Sequence, residues 1–482
     1  MNTSTHASRI TLALLLLLSA CGGGGGGGAG GDNTTAINLI DWTWVGGSDT
    51  FGQPGSYGIK GSPIPANVSP PNAPQALEGA MSWAGASNNL WLFGGAADLG
   101  VGFNDLWKYD TINSQWTWMN GDATANQLSN YITKGIANPV DASGPGSREY
   151  SATWTDSSNN LWLFGGFVRI NVAGSTAYAN DLWKYDTNLR QWTWMNGSNL
   201  VDQPGNYGNK GTATSTNVPG ARWVGTYWTD SGAFWLFGGI GFDSASQKGN
   251  LSDLWKYDTT NNLWTWMSGP STKDQLGIYG RKGVADAANF PGARSGAVSW
   301  SNNGSLWLFG GSGLDQNGLG VFNDLWKYDT LTNQWTWMGG SNMIDQAGSY
   351  GSPGIPSLNN MPGSRRFGVS WKDNSGNFWL FGGQGYDYAG NFGELNDLWK
   401  FDGTNWTWMS GSKIRDQAGE YGTTGNTDPA KFVPGSRDVA VSWYDSVNSQ
   451  FWLFGGQGCD VYANIYGCIG YLNDLWQFQP KP

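Results

Sequence analysis

Histidine is nearly missing from this chain of 482 residues: His6 is the only one, and it lies in the first twenty positions. Without a second imidazole, serine–histidine and cysteine–histidine nucleophile systems are excluded from the rest of the chain. Histidine-ligated zinc and copper centres are excluded on the same ground. Charge is scarce as well, at 13% Asp, Glu, Lys and Arg, with a net charge of −10 and no run of Lys or Arg. That argues against nucleic acid as a partner and against direct adsorption to anionic lipid. After residue 20 no apolar run approaches the ~20 residues of a membrane-spanning helix. The glycine run at 22–28 follows an apolar leader and not a strand, so it is no phosphate- or dinucleotide-binding loop.

What is present in excess is tryptophan. Thirty of the 31 fall at five positions of a unit that occurs six times, and only Trp223 stands out of register. The unit is clearest in its Leu-Phe-Gly-Gly core, at Leu92, Leu163, Leu236, Leu308, Leu380 and Leu453, with copies 71 to 73 residues apart. Each unit holds a first run ending in Trp, a Trp-Leu-Phe-Gly-Gly run, an Asp-Leu-Trp run and a Trp-Thr-Trp run, and in five of the six the first run opens with Pro-Gly-x-Arg. These segments are aromatic, punctuated by Gly, Asn and Asp, and too short for helices, which predicts four strands per unit. Six such units around an axis make an all-β, six-bladed β-propeller. The first Trp-Thr-Trp, Trp42–Trp44, precedes any Gly-Gly doublet, and the last Asp-Leu-Trp, at Asp474–Trp476, has no outer strand after it. The N-terminal strand is therefore expected to complete blade six and close the ring.

The Gly-Gly doublet, the following Asp-Leu-Trp-Lys-Tyr-Asp strand and the Trp of the fourth strand resemble the kelch repeat, over roughly residues 40 to 478. The period is about 20 residues longer than the usual ~50. Where the family often carries His in the first strand, this chain has Ala80, Ser151, Gly225, Ala297, Gly368 and Ala440. The resemblance implies the propeller fold but leaves function open, because kelch propellers serve many functions. The copper chemistry of galactose oxidase is excluded by the missing histidines.

Residues 1–20 read as a secretory signal, with Arg9 as basic flank and Leu12–Leu18 as apolar core. Leu18-Ser19-Ala20-Cys21 resembles the bacterial lipobox, which implies cleavage before Cys21 and its lipidation; an ordinary signal peptide with an incidental cysteine is the alternative. Residues 21–36 would then be a flexible glycine-rich tether and 37–482 the propeller. In the lipoproteins it resembles, a residue other than Asp after the cysteine, here Gly22, implies the outer membrane, on its periplasmic or external side. The expected membrane link is the lipid alone. Cys459 and Cys468 share one loop of blade six and, in an exported chain, are expected to form a disulfide.

Candidate functional positions follow from repeat logic: a residue copied in every blade serves the fold, and one that varies is free to specify a ligand. Gln at 53, 127, 203, 275, 346 and 417 with Tyr four residues later are copied, which favours fastening over a ring of sugar-binding pairs. Arg148, Arg222, Arg294, Arg365 and Arg437 are copied too, with Leu77 in blade one; they read either as a polar collar that captures a carboxylate or as donors to carbonyls of the neighbouring blade. The residue after that arginine varies: Glu78, Glu149, Trp223, Ser295, Arg366 and Asp438. These six are the candidate ligand or partner residues, against the reading that they are merely unconstrained. Asp98, Asp243, Asp315, Asp387 and Asp460 sit in the 2–3 loops as turn formers, and no metal or other cofactor is expected.

Short 1–2 and 3–4 turns and long 2–3 and interblade segments predict one trimmed face and one built-up face. The leading expectation is a monomeric, membrane-anchored binding or scaffold protein that engages a protein or cell-envelope polymer through the built-up face. The alternative is a carbohydrate-binding or carbohydrate-active propeller. Some periplasmic kelch proteins act on sialic acids, and such chemistry here would have to use Glu149, Arg366 and Asp438 without histidine or metal.

Overall fold

A computed structural model describes residues 40–480, apart from 65–70, 86–88, 98–100, 143, 423–424, 426–431, 464–466 and 469. The leader, Cys21, the tether and Asp98 lie outside the described residues. The chain divides into Met1–Ile37 and Asn38–Pro482, and only the second is described below.

This second unit is a six-bladed β-propeller of antiparallel sheets. Blade two shows the pattern. Its inner strand comes in two pieces, Arg148–Glu149 and Ala152–Thr155, and both pair with Leu161–Arg169. Thr176–Asp186 and Gln191–Asn196 follow outward. Ile40–Gly46 pairs with Gly470–Pro480, placing Trp44 opposite Trp476, so the N-terminal strand is the outer strand of blade six. This is the closure expected from the sequence.

The core lies between blades. Each of six buried clusters draws on two neighbours; Trp154, Trp162 and Phe164 of blade two, for example, meet Phe234, Trp255 and Trp264 of blade three. The inner-strand tryptophans do more than fill space. Each Nε1 donates to the carbonyl of the second-strand tryptophan in the next blade: Trp83 to Trp162, Trp154 to Trp235, Trp228 to Trp307, Trp300 to Trp379, Trp371 to Trp452 and Trp443 to Trp91. Six donors serve six acceptors in a closed circuit.

The Gly-Gly doublet is dictated by the same close approach. Both glycines have positive φ, +67° and +103° at Gly165 and Gly166, and the pairing register shifts there. A Cβ on the first glycine would lie 2.6 to 2.8 Å from the arginine carbonyl of the next blade in five cases. The second glycine faces the small first-strand residue, as Gly311 faces Ala297. A bulky histidine there would not fit this bulge.

The copied arginines form no collar and do not reach the neighbouring blade, which corrects both sequence readings. Arg148, Arg222, Arg294, Arg365 and Arg437 are fully buried, and each pairs with the aspartate of the third strand in its own blade, Asp181, Asp253, Asp324, Asp397 or Asp474, at 2.5 to 2.9 Å. A second donor of each goes to the first doublet glycine's carbonyl, as Arg222 Nη1 to Gly238. Bidentate, charge-assisted bonding of this kind fixes geometry as well as energy.

Outside blade six, where strand two ends at Gly458 and strand three begins at Gly470, the 2–3 connections are not long loops either. Strands two and three run on past the doublet as hairpins; in blade four Ser305–Asp315 and Gly318–Asp329 leave two residues at the tip. Asp243, Asp315, Asp387 and Asp460 accept from backbone N–H groups of these tips, the turn-forming role expected of them. Cys459 and Cys468 are joined by a disulfide in the blade-six hairpin.

In their described residues the interblade segments are flaps fastened to a blade. Their tyrosines, Tyr57, Tyr131, Tyr207, Tyr279, Tyr350 and Tyr421, each donate to the third-strand aspartate of the blade they lead into, at 2.6 to 2.7 Å. The glutamines close the flap on itself, as Gln203 Nε2 does to the Val201 carbonyl. A flap glycine also donates to the outer strand: Gly61, Gly135, Gly211, Gly283, Gly354 and Gly425 to Trp118, Trp194, Trp266, Trp337, Trp408 and Trp44.

Candidate functional site

The inner strand breaks at one residue per blade, Gly79, Tyr150, Val224, Gly296, Phe367 and Val439, all at positive φ. Their peptides bond around the axis: Tyr150 N donates to Gly79 O, Val224 to Tyr150, Gly296 to Val224, Phe367 to Gly296 and Val439 to Phe367. Where Gly79 and Gly296 lack a side chain, the rings of Tyr150 and Phe367 take the space. These two aromatics plug the axis.

On the trimmed side of the plug lies a cavity of ≈ 560 Å³ lined by Ser82, Thr153, Tyr227, Ser299, Ser370 and Ser442, among others. Its hydroxyls are largely engaged with the fold: Thr153, Ser299, Ser370 and Ser442 each donate to a carbonyl of the adjacent blade.

On the hairpin side lie the six candidate residues, each heading a cross-strand row of three that runs outward along its blade. The rows are Glu78-Ala96-Gly102, Glu149-Phe167-Tyr178, Trp223-Ile240-Asn250, Ser295-Ser312-Val321, Arg366-Gln384-Glu394 and Asp438-Gln457-Tyr471. No two rows are alike. Blades two and three supply an aromatic and apolar sector, blades five, six and one a charged sector, and blade four only short side chains.

Five of the six candidates gather around Tyr150. Its hydroxyl donates to Glu78 Oε2 at 2.9 Å, and Tyr471 donates to Glu78 Oε1 at 3.1 Å. Its ring meets Trp223 at 5.2 Å, and Trp223 stacks on Phe167 at 5.1 Å. Glu149, buried, pairs with Arg169 at 3.0 Å. Arg366 Nη2 donates to Gln384 Oε1 at 2.6 Å, and Gln384 passes the bond on to Glu394 Oε1 at 2.8 Å. Asp438 completes the group as an electrostatic neighbour of Arg366, Glu78 and Tyr150. Ser295 is buried in blade four and stands apart from this network.

The carboxyl groups are poorly solvated. Burial pushes Glu149 up to about 7, with Arg169 pulling down and Glu78 adding to the rise. Burial also pushes Asp438 up to about 7, raised further by Glu78 and lowered by Arg366. Glu394 is held well above the usual carboxylate range by burial and by Asp438. Asp438 Oδ1, Glu394 Oε2 and Trp223 Nε1 are buried without a hydrogen-bond partner. Three orphaned polar atoms at the mouth of one axis mark a place where the protein alone does not satisfy its own groups.

Sequence reasoning found the heads of the rows and missed Tyr150, Arg169, Gln384, Glu394 and Tyr471. The signal was the same one: these positions also change from blade to blade. Among the described residues no group of three or more His, Cys, Asp or Glu could hold a metal ion.

The family model described as Kelch motif matches residues 293–342, the end of the interblade segment and most of blade four. The solved structure of YjhT resembles this chain with a TM-score of 0.48 at 14% identity, over 84% of this chain and 95% of that one. No curated protein matches the sequence.

Proposed function

We propose that the protein is a membrane-anchored binding protein that engages a protein or cell-envelope polymer at the axial mouth of its hairpin-bearing face. The observation that carries this reading is the break in symmetry: the rows differ in every blade while the arginines, doublets, flaps and indole circuit around them are copied. A scaffold so constrained keeps what folding needs and varies what a ligand sees. The orphaned oxygens of Asp438 and Glu394 support a site that a ligand would complete. The anchor rests on the lipobox-like Leu18–Cys21 and the glycine-rich stretch after it.

The test places a photo-crosslinking residue at position 223 of the full-length protein in living cells and identifies adducts by mass spectrometry. A discrete protein or envelope-polymer adduct, lost when Glu149 and Arg366 are replaced by Ala, supports the reading; no adduct from any of the six row heads rejects it. For the anchor, radiolabelled palmitate should enter the wild type and not Cys21→Ser. Equal membrane retention of that variant would sink the anchor.

A carbohydrate ligand is the second reading, favoured by the stacked faces of Trp223, Phe167 and Tyr178. An acidic sugar of the sialic-acid type fits poorly, because four carboxyl groups face two guanidinium groups at the mouth.

A further inference from the structure

The chemistry of the ligand group is narrower than the reading above, on which this inference rests. Glu78, Glu149, Glu394 and Asp438 share the mouth with the guanidinium groups of Arg169 and Arg366, and Lys248 Nζ lies farther out, 4.5 Å over the Tyr178 ring. Asp438 is 5% exposed and Glu394 6%, and each keeps one oxygen without a partner. Arg366 donates to Gln384 Oε1 and stays an electrostatic neighbour of both carboxyl groups, which in turn repel each other. One guanidinium beside two buried carboxyl groups leaves an excess of negative charge that a second opposite charge would offset. An anion would worsen the excess, and the arrangement does not suit a metal ion. The opposite sector holds the rings of Tyr150 and Trp223, edge to face at 5.2 Å, an aromatic surface of the kind that complements a cation carried on an aliphatic stem.

We propose that the axial mouth receives a primary ammonium group on an aliphatic or sugar carbon, its nitrogen at Asp438 and Glu394 and its carbon frame against Tyr150 and Trp223. A lysine side chain and an amino sugar both carry this group.

The experiment uses the full chain labelled with 5-fluorotryptophan, the Trp223 ¹⁹F resonance being identified by its loss in Trp223→Phe. n-Butylammonium, n-butanol and butyrate are titrated at pH 8; they match in size and differ in charge. The expected result is a saturable shift of that resonance with n-butylammonium alone, weakened about tenfold or more in Asp438→Asn and in Glu394→Gln, as loss of a desolvated charge partner requires. Nα-acetyl-lysinamide and glucosamine then separate the two sources, the tighter binder naming the one used. Binding of butyrate or butanol as tight as that of the amine overturns the proposal, and so does an unchanged amine affinity in both variants. Failure here with a crosslink captured at position 223 removes the cation and leaves the binding function standing. Failure of both removes the site.

Discussion

Trp443 of blade six donates its indole N–H to the carbonyl of Trp91 in blade one at 3.1 Å, across 352 positions of sequence. This bond closes the circuit of six, and beside it the pairing of Ile40–Gly46 with Gly470–Pro480 closes the sheet. Replacing Trp443 by Phe keeps most of the packing and removes one buried hydrogen bond, at a cost of about 0.5–1.5 kcal/mol. Trp42→Ala, which empties a site 1% exposed, should cost about 3–5 kcal/mol. Urea midpoints of the two variants check the order.

Blade one lacks the copied arginine, and its aspartate shows the effect. With Leu77 in that place, burial pushes Asp105 up to about 6, against which Tyr57 and Trp107 pull down, and Oδ1 has no partner. In blade three Arg222 outweighs burial and holds Asp253 below the usual range. Asp253→Asn, which strands a buried guanidinium, should therefore cost about 3–5 kcal/mol at pH 7. Asp105→Asn should be neutral or stabilising at pH 7. Asp105 is raised in the fold, so its contribution is complete below its unfolded value and lost as pH rises through about 6. Chemical denaturation of both variants at pH 5 and pH 7 tests the contrast.

The axial carboxyl groups carry the same sign. Asp438 and Glu149 are both raised to about 7, so the protonated forms favour the fold and stability falls as pH climbs through that value. The groups facing them are Glu78, Glu394, Arg366, Arg169 and Tyr150. Asp438→Asn should stabilise the free protein at pH 8 by something on the order of 1–3 kcal/mol, with little effect at pH 5. For an ammonium ligand the same titration predicts affinity rising from pH 5.5 to pH 8 with protons released on binding. Calorimetry in two buffers of different ionisation enthalpy counts them.

Cys459 is fully buried and its disulfide ties the ends of the blade-six hairpin. Removing it with paired Cys459→Ser and Cys468→Ser should cost about 2–3 kcal/mol, by releasing a closed loop of the unfolded chain. Wild type in reductant should lose the same amount, read from the shift in urea midpoint.

The propeller was legible because its core is written in tryptophan, a residue too large and too regular here to belong to loops. Ring closure was legible for a similar reason, the stray Trp42–Trp44 having one vacancy to fill. The hairpins were misjudged as loops because beyond the doublet the strands lose their aromatic signature and carry Gly, Ser and Asn, which read as turns. The arginines do donate to carbonyls, but within their own blade and not to the neighbouring one. Their partner, the aspartate of the third strand, was equally constant and lies 30 to 37 residues on. At the site, the variable position after each arginine was noticed, while Glu394 and Tyr150 were not. Pairing register, which aligns residues from three strands into one row, is a property of the sheet and not of any single segment.

The flap glycines have one more effect. Each takes one carbonyl of its blade's outer strand, so among the described residues no outer strand presents a wholly unpaired edge to another chain. Copies that meet side by side are therefore hindered from zipping into a shared sheet. A partner, too, is denied strand addition as a mode of attachment and must be recognised by side chains at an end of the barrel-like ring. The edges of the blades and the three-residue rows at the axis can then change independently of one another.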